Sequence, residues 1–208
     1  MAITTLDQYI AAASQRVTIN KTASVTAVAL MPTQVLQAAG NPGAGTLAGT
    51  NTAAGVVPDD TVAGFPSINA FGGGATGYIA GISFGGTVAA RISLFDCLFK
   101  AGAYAFNAAT TLAAQPSYSA RVLGGTDFTN TEIWIEAVTA FTGNQSIAVT
   151  YTNQSGTTGR TTGTIATGVA PIVGRMLQLP LQAGDTGVQK IESVTSTVST
   201  VGTFNVLV

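Results

Sequence analysis

The chain has 208 residues, of which only 8% are charged; its net charge is −1, with one cysteine and no histidine. That excludes Ser-His-Asp triads, Cys-His dyads, His-ligated zinc and any intrachain disulfide. Soluble domains carry about 25% charged residues, so this chain reads as a subunit whose neutral surface packs against neighbours rather than as a free enzyme.

The charges are also unevenly spread. None falls between Lys21 and Asp59, between Asp60 and Arg91, between Glu136 and Arg160, or after Glu192. No Lys/Arg run marks a nucleic-acid surface, and no apolar run approaches the roughly 20 residues that span a bilayer. The first 16 residues lack the basic and apolar regions of a secretory signal. The expectations are therefore a protein made in the cytoplasm, with no nucleic-acid partner, no membrane and no cofactor.

In chain order, "TLDQYIAAA" predicts a short helix, capped by Thr5 with Gln8 three residues on and ending near Gln15. "RVTINKTASVTAVAL" alternates, with Val17, Ile19, Ala23 and Val25 on one face, and predicts a strand. "TQVLQAAG" suggests one or two helical turns stopped at Gly40. Residues 41–77 follow, with 9 glycines, 3 prolines and only Asp59 and Asp60 charged. They predict an extended arm, ordered mainly by contacts outside its own sandwich. The alternative is a long loop covering that sandwich. Val56, Val57, Val62, Phe65, Ile68 and Phe71 are the expected assembly contacts of the arm. Asp59 and Asp60 read as a solvated turn rather than a calcium site. "GGGATG" (72–77) matches a dinucleotide fingerprint only formally, without the strand before it and the helix after it that such a site needs.

"YIAGISF" and "TVAARI" bracket Gly85-Gly86 and predict a hairpin. "SLFDCLFKAG" predicts a helix over Leu94–Ala101, from the Ser93/Asp96 capping pattern and the Leu94/Leu98 and Phe95/Phe99 pairs; a strand is the rival. Cys97 in that apolar context reads as a buried small hydrophobe. "TEIWIEAVTAF" and "NQSIAVTYTN", joined at Thr142-Gly143, predict an antiparallel hairpin over 131–152. Ile133, Ile135, Ile147, Val149 and Tyr151 should then face the core. Glu132, Trp134 and Glu136 share the opposite face, expected to be exposed. The two carboxylates stand about 13 Å apart along a strand, too wide for either glycosidase geometry. "GRTTGTIATG", "RMLQLPL", "GVQKIESVTST" and "GTFNVLV" add strands at roughly ten-residue spacing. The predicted fold is mainly β: an antiparallel β-sandwich or jelly-roll-like barrel (78–208) behind an N-terminal helix, strand and Gly/Ala/Thr-rich arm (1–77).

The phrases "AGAYAFNAATTLAAQPSYSARVLGG", "IWIEAVTAFTGNQSIAVTYTNQSGTTGRTTGTIATG" and "LQLPLQAGDTGVQKIESVTSTVSTVGTFNVLV" resemble virion structural proteins of tailed bacteriophages, over about residues 78–208. Resemblance to head decoration or cement proteins implies a β-rich body on the outer surface of a phage head. Such a body bridges capsid subunits without chemistry and is often a homo-oligomer. Tail-tube and major capsid subunits are the alternatives within that class. A carbohydrate-binding sandwich, with Glu132, Trp134 and Glu136 as its site, is the alternative outside it.

Overall fold

The computed structural model describes residues 4–11, 16–23, 31–45, 51–69, 78–87, 90–106, 109–142, 144, 146–166, 173–196 and 201–208. Helix α1 (Leu6–Ala11) opens the chain. The strands are β1 (Asn20–Lys21), β2 (Gly40–Asn41), β3 (Asn51–Val56), β4 (Lys100–Ala105), β5 (Ala109–Thr111), β6 (Ile133–Thr139), β7 (Ser146–Asn153), β8 (Arg160–Thr161), β9 (Ile165–Ala166), β10 (Met176–Leu179), β11 (Val188–Ser196) and β12 (Thr203–Leu207). One five-stranded sheet runs β10-β6-β12-β4-β3. A second runs β5-β11-β7-β8, with β9 also paired to β7. Every pairing is antiparallel, and neither sheet closes into a barrel. The predicted mainly-β, sandwich-like class is what the structure has.

Alternation explains the inward residues of β6 and β7, whereas two register shifts in β11 set Val188, Ile191 and Val194 inward at three-residue spacing. Ile133, Ile135, Phe204 and Val206 project from the first sheet onto Ile147, Val149, Tyr151, Val188, Ile191 and Val194 of the second. The five residues expected to face the core are all at most 1% exposed. Their pairing differs from expectation. β6 and β7 do not form a hairpin: β6 pairs with β10 and β12, and β7 pairs with β11, β8 and β9. The chain crosses from one sheet to the other between them. Phe141 is the reason. It is buried edge-on against Phe106 at 4.4 Å, and the N–H of Thr142 donates to the carbonyl of Val201. A residue seated in the end of the core cannot also sit in a tight two-strand turn.

Four other expectations are corrected. Of the predicted strand over 17–29, among the described residues only Asn20 and Lys21 are in a strand, paired with Gly40 and Asn41. Val17 and Ile19 are exposed there, and residues 24–30 lie outside the described residues. Lys21 Nζ donates to the carbonyls of Leu36, Pro42 and Gly43, tying this small ribbon to its own loop. Residues 33–40 form no helix: Ala38 N–H closes a turn on Val35, and Thr33 bridges to Arg175 at the free side of β10. The described residues of the predicted hairpin over 78–92 are exposed and carry no strand. The predicted helix over 94–101 is absent as well. The N–H groups of Leu98 and Phe99 donate to the carbonyl of Val208, and that of Val208 returns to Phe99. Pairing with the final strand thus takes the backbone groups a helix would need. The predicted helix at the start does form, with Thr5 Oγ1 accepting from Gln8 N–H and Gln8 Oε1 accepting from Thr4 N–H. Residues 12–15 lie outside the described residues.

Asp185 holds the loop end of the second sheet. It accepts from Tyr151 Oη (2.7 Å), Asn153 Nδ2 (2.8 Å) and Arg160 Nε (2.9 Å), and its side chain is 3% exposed. The hydrogen bond from Arg160, ahead of those from Asn153 and Tyr151, depresses its carboxyl to about 2. A depressed carboxyl contributes stability above its unfolded value of about 3.9 and loses it as pH falls through the folded value. In urea unfolding from pH 5 down to pH 2, the wild type should therefore lose on the order of 2 kcal/mol more than Asp185→Asn. Parallel pH profiles for the two proteins would remove Asp185 from that role.

Candidate functional site

β3 and β4 are an antiparallel pair, with Val56 opposite Lys100 and Asn51 opposite Gly102. What joins them is residues 57–99. Connections in compact domains have a median of about 4–6 residues, and those beyond about 15 are usually either functional or linker segments. This connection is therefore the feature of the fold that packing alone does not explain.

Its base is firmly built. Gly55, at φ 69°, lies against Phe99: a Cβ there would come within 2.3 Å of the Phe99 ring. Val57 packs on the core and Pro58 is buried. Arg121, at the end of the 3-10 turn Ser119–Arg121, joins the two ends of the connection. Its Nη1 donates to the carbonyls of Pro58 (2.6 Å) and Cys97 (3.0 Å), and its Nη2 pairs with the Asp96 carboxylate. The first turn is set by Asp59, whose carboxylate accepts from the N–H and hydroxyl of Thr61. Those donors hold the Asp59 carboxyl below the usual range.

Beyond the base, the large apolar side chains of the described residues face solvent. Tyr78 is 77% exposed, Ile79 72%, Ile82 65% and Phe84 58%. On the return, Ile92, Leu94 and Phe95 are exposed by 49–63%. With Ile68, eight of the fifteen exposed large hydrophobics among the described residues lie in this one connection. No backbone–backbone hydrogen bond ties residues 78–87 to the body among the described residues.

The expected assembly contacts fall differently. Val56, Val57, Val62 and Phe65 are half-buried against their own domain, and Ile68 is exposed. Phe71 lies outside the described residues. Residues 51–56 are an integral strand of the first sheet, so the expected external arm over 41–77 is corrected for that part. An edge strand of the same sandwich supplies its order. The expected domain boundary after residue 77 falls inside the β3–β4 connection. The exposed apolar residues begin where the arm was expected to end. The charge-free run from Asp60 to Arg91 was their signal, obscured by the hairpin-like Gly85-Gly86.

Glu132, Trp134 and Glu136 do not form one exposed face. Glu132 Oε2 accepts from Trp134 Nε1 at 2.8 Å, and Phe95 lies against the indole at 5.7 Å, so both residues are half-buried. Glu136 is fully buried. It pairs with Lys100 Nζ at 2.9 Å and accepts from Gln37 Nε2 and Asn205 Nδ2. The segment around Gln37 covers this outer face of the sheet, which a single-strand pattern could not show. Gly102 is required beside it, because a Cβ would meet Asn205 Oδ1 at 1.9 Å. Cys97 is half-buried, and burial pushes its thiol up to about 11. Among the described residues no group of three or more His, Cys, Asp or Glu side chains could hold a metal. An open groove of about 430 Å³ runs between Asn130–Glu132 and Gln178–Thr186. Its two carboxylates are already engaged, Asp185 by Arg160 and Glu132 by Trp134.

No family model, curated protein or solved structure matches the chain.

Two outcomes check this geometry. Lys100→Met strands a buried carboxylate and should cost about 3–5 kcal/mol in urea unfolding; Lys100→Met/Glu136→Leu should recover most of that. A single-variant cost below about 1 kcal/mol would show that the pair is solvated. Native Cys97 should react with a thiol reagent at pH 8 far more slowly than the urea-unfolded chain; equal rates would contradict its burial.

Proposed function

We propose that this chain is a structural virion protein of a tailed bacteriophage, of the decoration or cement type. It attaches to neighbouring subunits of the particle through the β3–β4 connection and acts by contact rather than by chemistry. The observation that carries this reading is the exposure of Ile68, Tyr78, Ile79, Ile82, Phe84, Ile92, Leu94 and Phe95 on one long connection with a rigid base. At roughly 1–2 kcal/mol per side chain on burial, these residues match an association cost of about 4–15 kcal/mol. Unpaired backbone favours a protein neighbour over lipid, since hydrocarbon does not accept irregular backbone, whereas a sheet edge does. The charge-poor composition fits dry, neutral contacts, and the resemblance of residues 78–208 to tailed-phage virion proteins agrees with it.

Mass spectrometry of purified particles, heads separated from tails, tests the reading. The protein should be found in the head fraction, and its absence from particles would end the proposal. A variant with residues 68–94 replaced by a short Gly-Ser linker should melt within a few degrees of wild type. Added back to particles lacking the protein, it should show at least tenfold lower occupancy.

A further inference from the structure

We infer that the side chains of Lys100 and Asn205 join in a covalent amide bond, formed once per chain by the folded protein itself, with Glu136 carrying the protons. Lys100 is on β4, Glu136 on β6 and Asn205 on β12, which lies between the other two strands. Asn205 is directly opposite Glu136, and Lys100 is opposite Leu207, two residues further along β12. The three side chains meet at one atom. Glu136 Oε2 is 2.9 Å from Lys100 Nζ and 3.0 Å from Asn205 Nδ2, so the amine and the amide are no more than two hydrogen-bond lengths apart. Lys100 is 4% exposed, and Glu136 and Asn205 are 0% exposed. Gln37 closes the site by donating to Glu136 Oε1. Gly102 makes room for the amide, because a Cβ there would meet Asn205 Oδ1 at 1.9 Å.

A buried ion pair by itself is only a fastener. Two features here point to reaction. Asn205 Oδ1 is buried with no hydrogen-bond partner among the described residues, a costly state for an acceptor that calls for an explanation. In addition, moving one proton from Lys100 Nζ to Glu136 replaces two buried charges with a neutral amine and a neutral acid, and makes the lysine a nucleophile. The amine lone pair then attacks Asn205 Cγ, and the carbonyl electron pair moves to Oδ1. Glu136 hands its proton to Nδ2 and takes one from Nζ. The Cγ–Nδ2 bond breaks, the carbonyl re-forms and ammonia leaves. Of the five protons involved, three depart on ammonia, one stays on the new amide nitrogen and one stays on Glu136. The step consumes no water, oxidant or cofactor. Folding fixes the amine, the amide and the proton carrier together, which supplies the effective concentration that a free lysine and a free amide lack. The bond would tie β4 to β12, the central strand of the first sheet, and replace the site's two charges with a neutral amide.

The inference is independent of the virion reading and is tested on free protein. Intact-mass measurement of the full-length chain in denaturing solvent should give the sequence mass less one molecule of ammonia. Tryptic digestion should leave Lys100 uncut and yield a branched peptide linking it to Asn205. Lys100→Arg and Asn205→Ala should keep the full mass. Asn205→Ala should also melt roughly 10 °C or more below wild type, because the bond closes a loop of about a hundred residues. Glu136→Gln should keep the full mass under conditions in which wild type has reacted. Full mass in wild-type protein left to stand after folding would overturn the inference, whether or not any variant folds. So would a loss of ammonia that persists in Asn205→Ala, which would place it at another amide. Loss from Glu136→Gln at the wild-type rate would overturn it too, since the carboxylate would then not carry the protons. The unfolding costs given above for Lys100→Met concern the ion pair, so they are read in an Asn205→Ala background once the bond is found.

Discussion

The sandwich depends on strand β12, the final strand of the sequence and the middle of its sheet. β6 and β4 touch only through it. Phe204 stacks on Tyr104 and Phe106 in the core, while Asn205 on the other face donates to Glu136. Val208 then takes both backbone bonds of the Phe99 region, which decides where the long connection ends and β4 begins. Remove β12 and the first sheet becomes two unconnected pairs. Most of the pairings that matter join residues far apart in sequence, so the fold must close large loops before it gains stability. Non-local topologies of this kind fold slowly.

Few charges are present, and three ion pairs among them fasten the body. Lys100–Glu136 fastens the outer face of the first sheet, Arg160–Asp185 the loop end of the second, and Arg121–Asp96 the base of the long connection. Arg175 is buried and donates to Thr33.

The long connection combines two opposite properties. Its base is held by one guanidinium reaching three acceptors and by Val57, Pro58, Leu98 and Phe99 packing into the body. Its outer part exposes the largest apolar side chains outside the core. The base fixes where the connection leaves the body.

Strand periodicity alone determined that this is a mainly-β, sandwich-like fold, and it determined which side chains of 133–151 are inside. Alternation is local, so it survives any choice of partner. For the same reason it could not decide the partner: a hairpin and a sheet-to-sheet crossing give β6 and β7 the same pattern, and only the seating of Phe141 separates them. Glu136 looked exposed because its strand's outer face is covered by a segment about a hundred residues earlier. Leu94–Ala101 carried a helical pattern that pairing with Val208 overrode. For the candidate site, composition marked the charge-free stretch from Asp60 to Arg91 as unusual. Which half of that region is a strand and which half stands exposed depended on β3 pairing with β4. That is a contact between distant residues, and no window of sequence contains it.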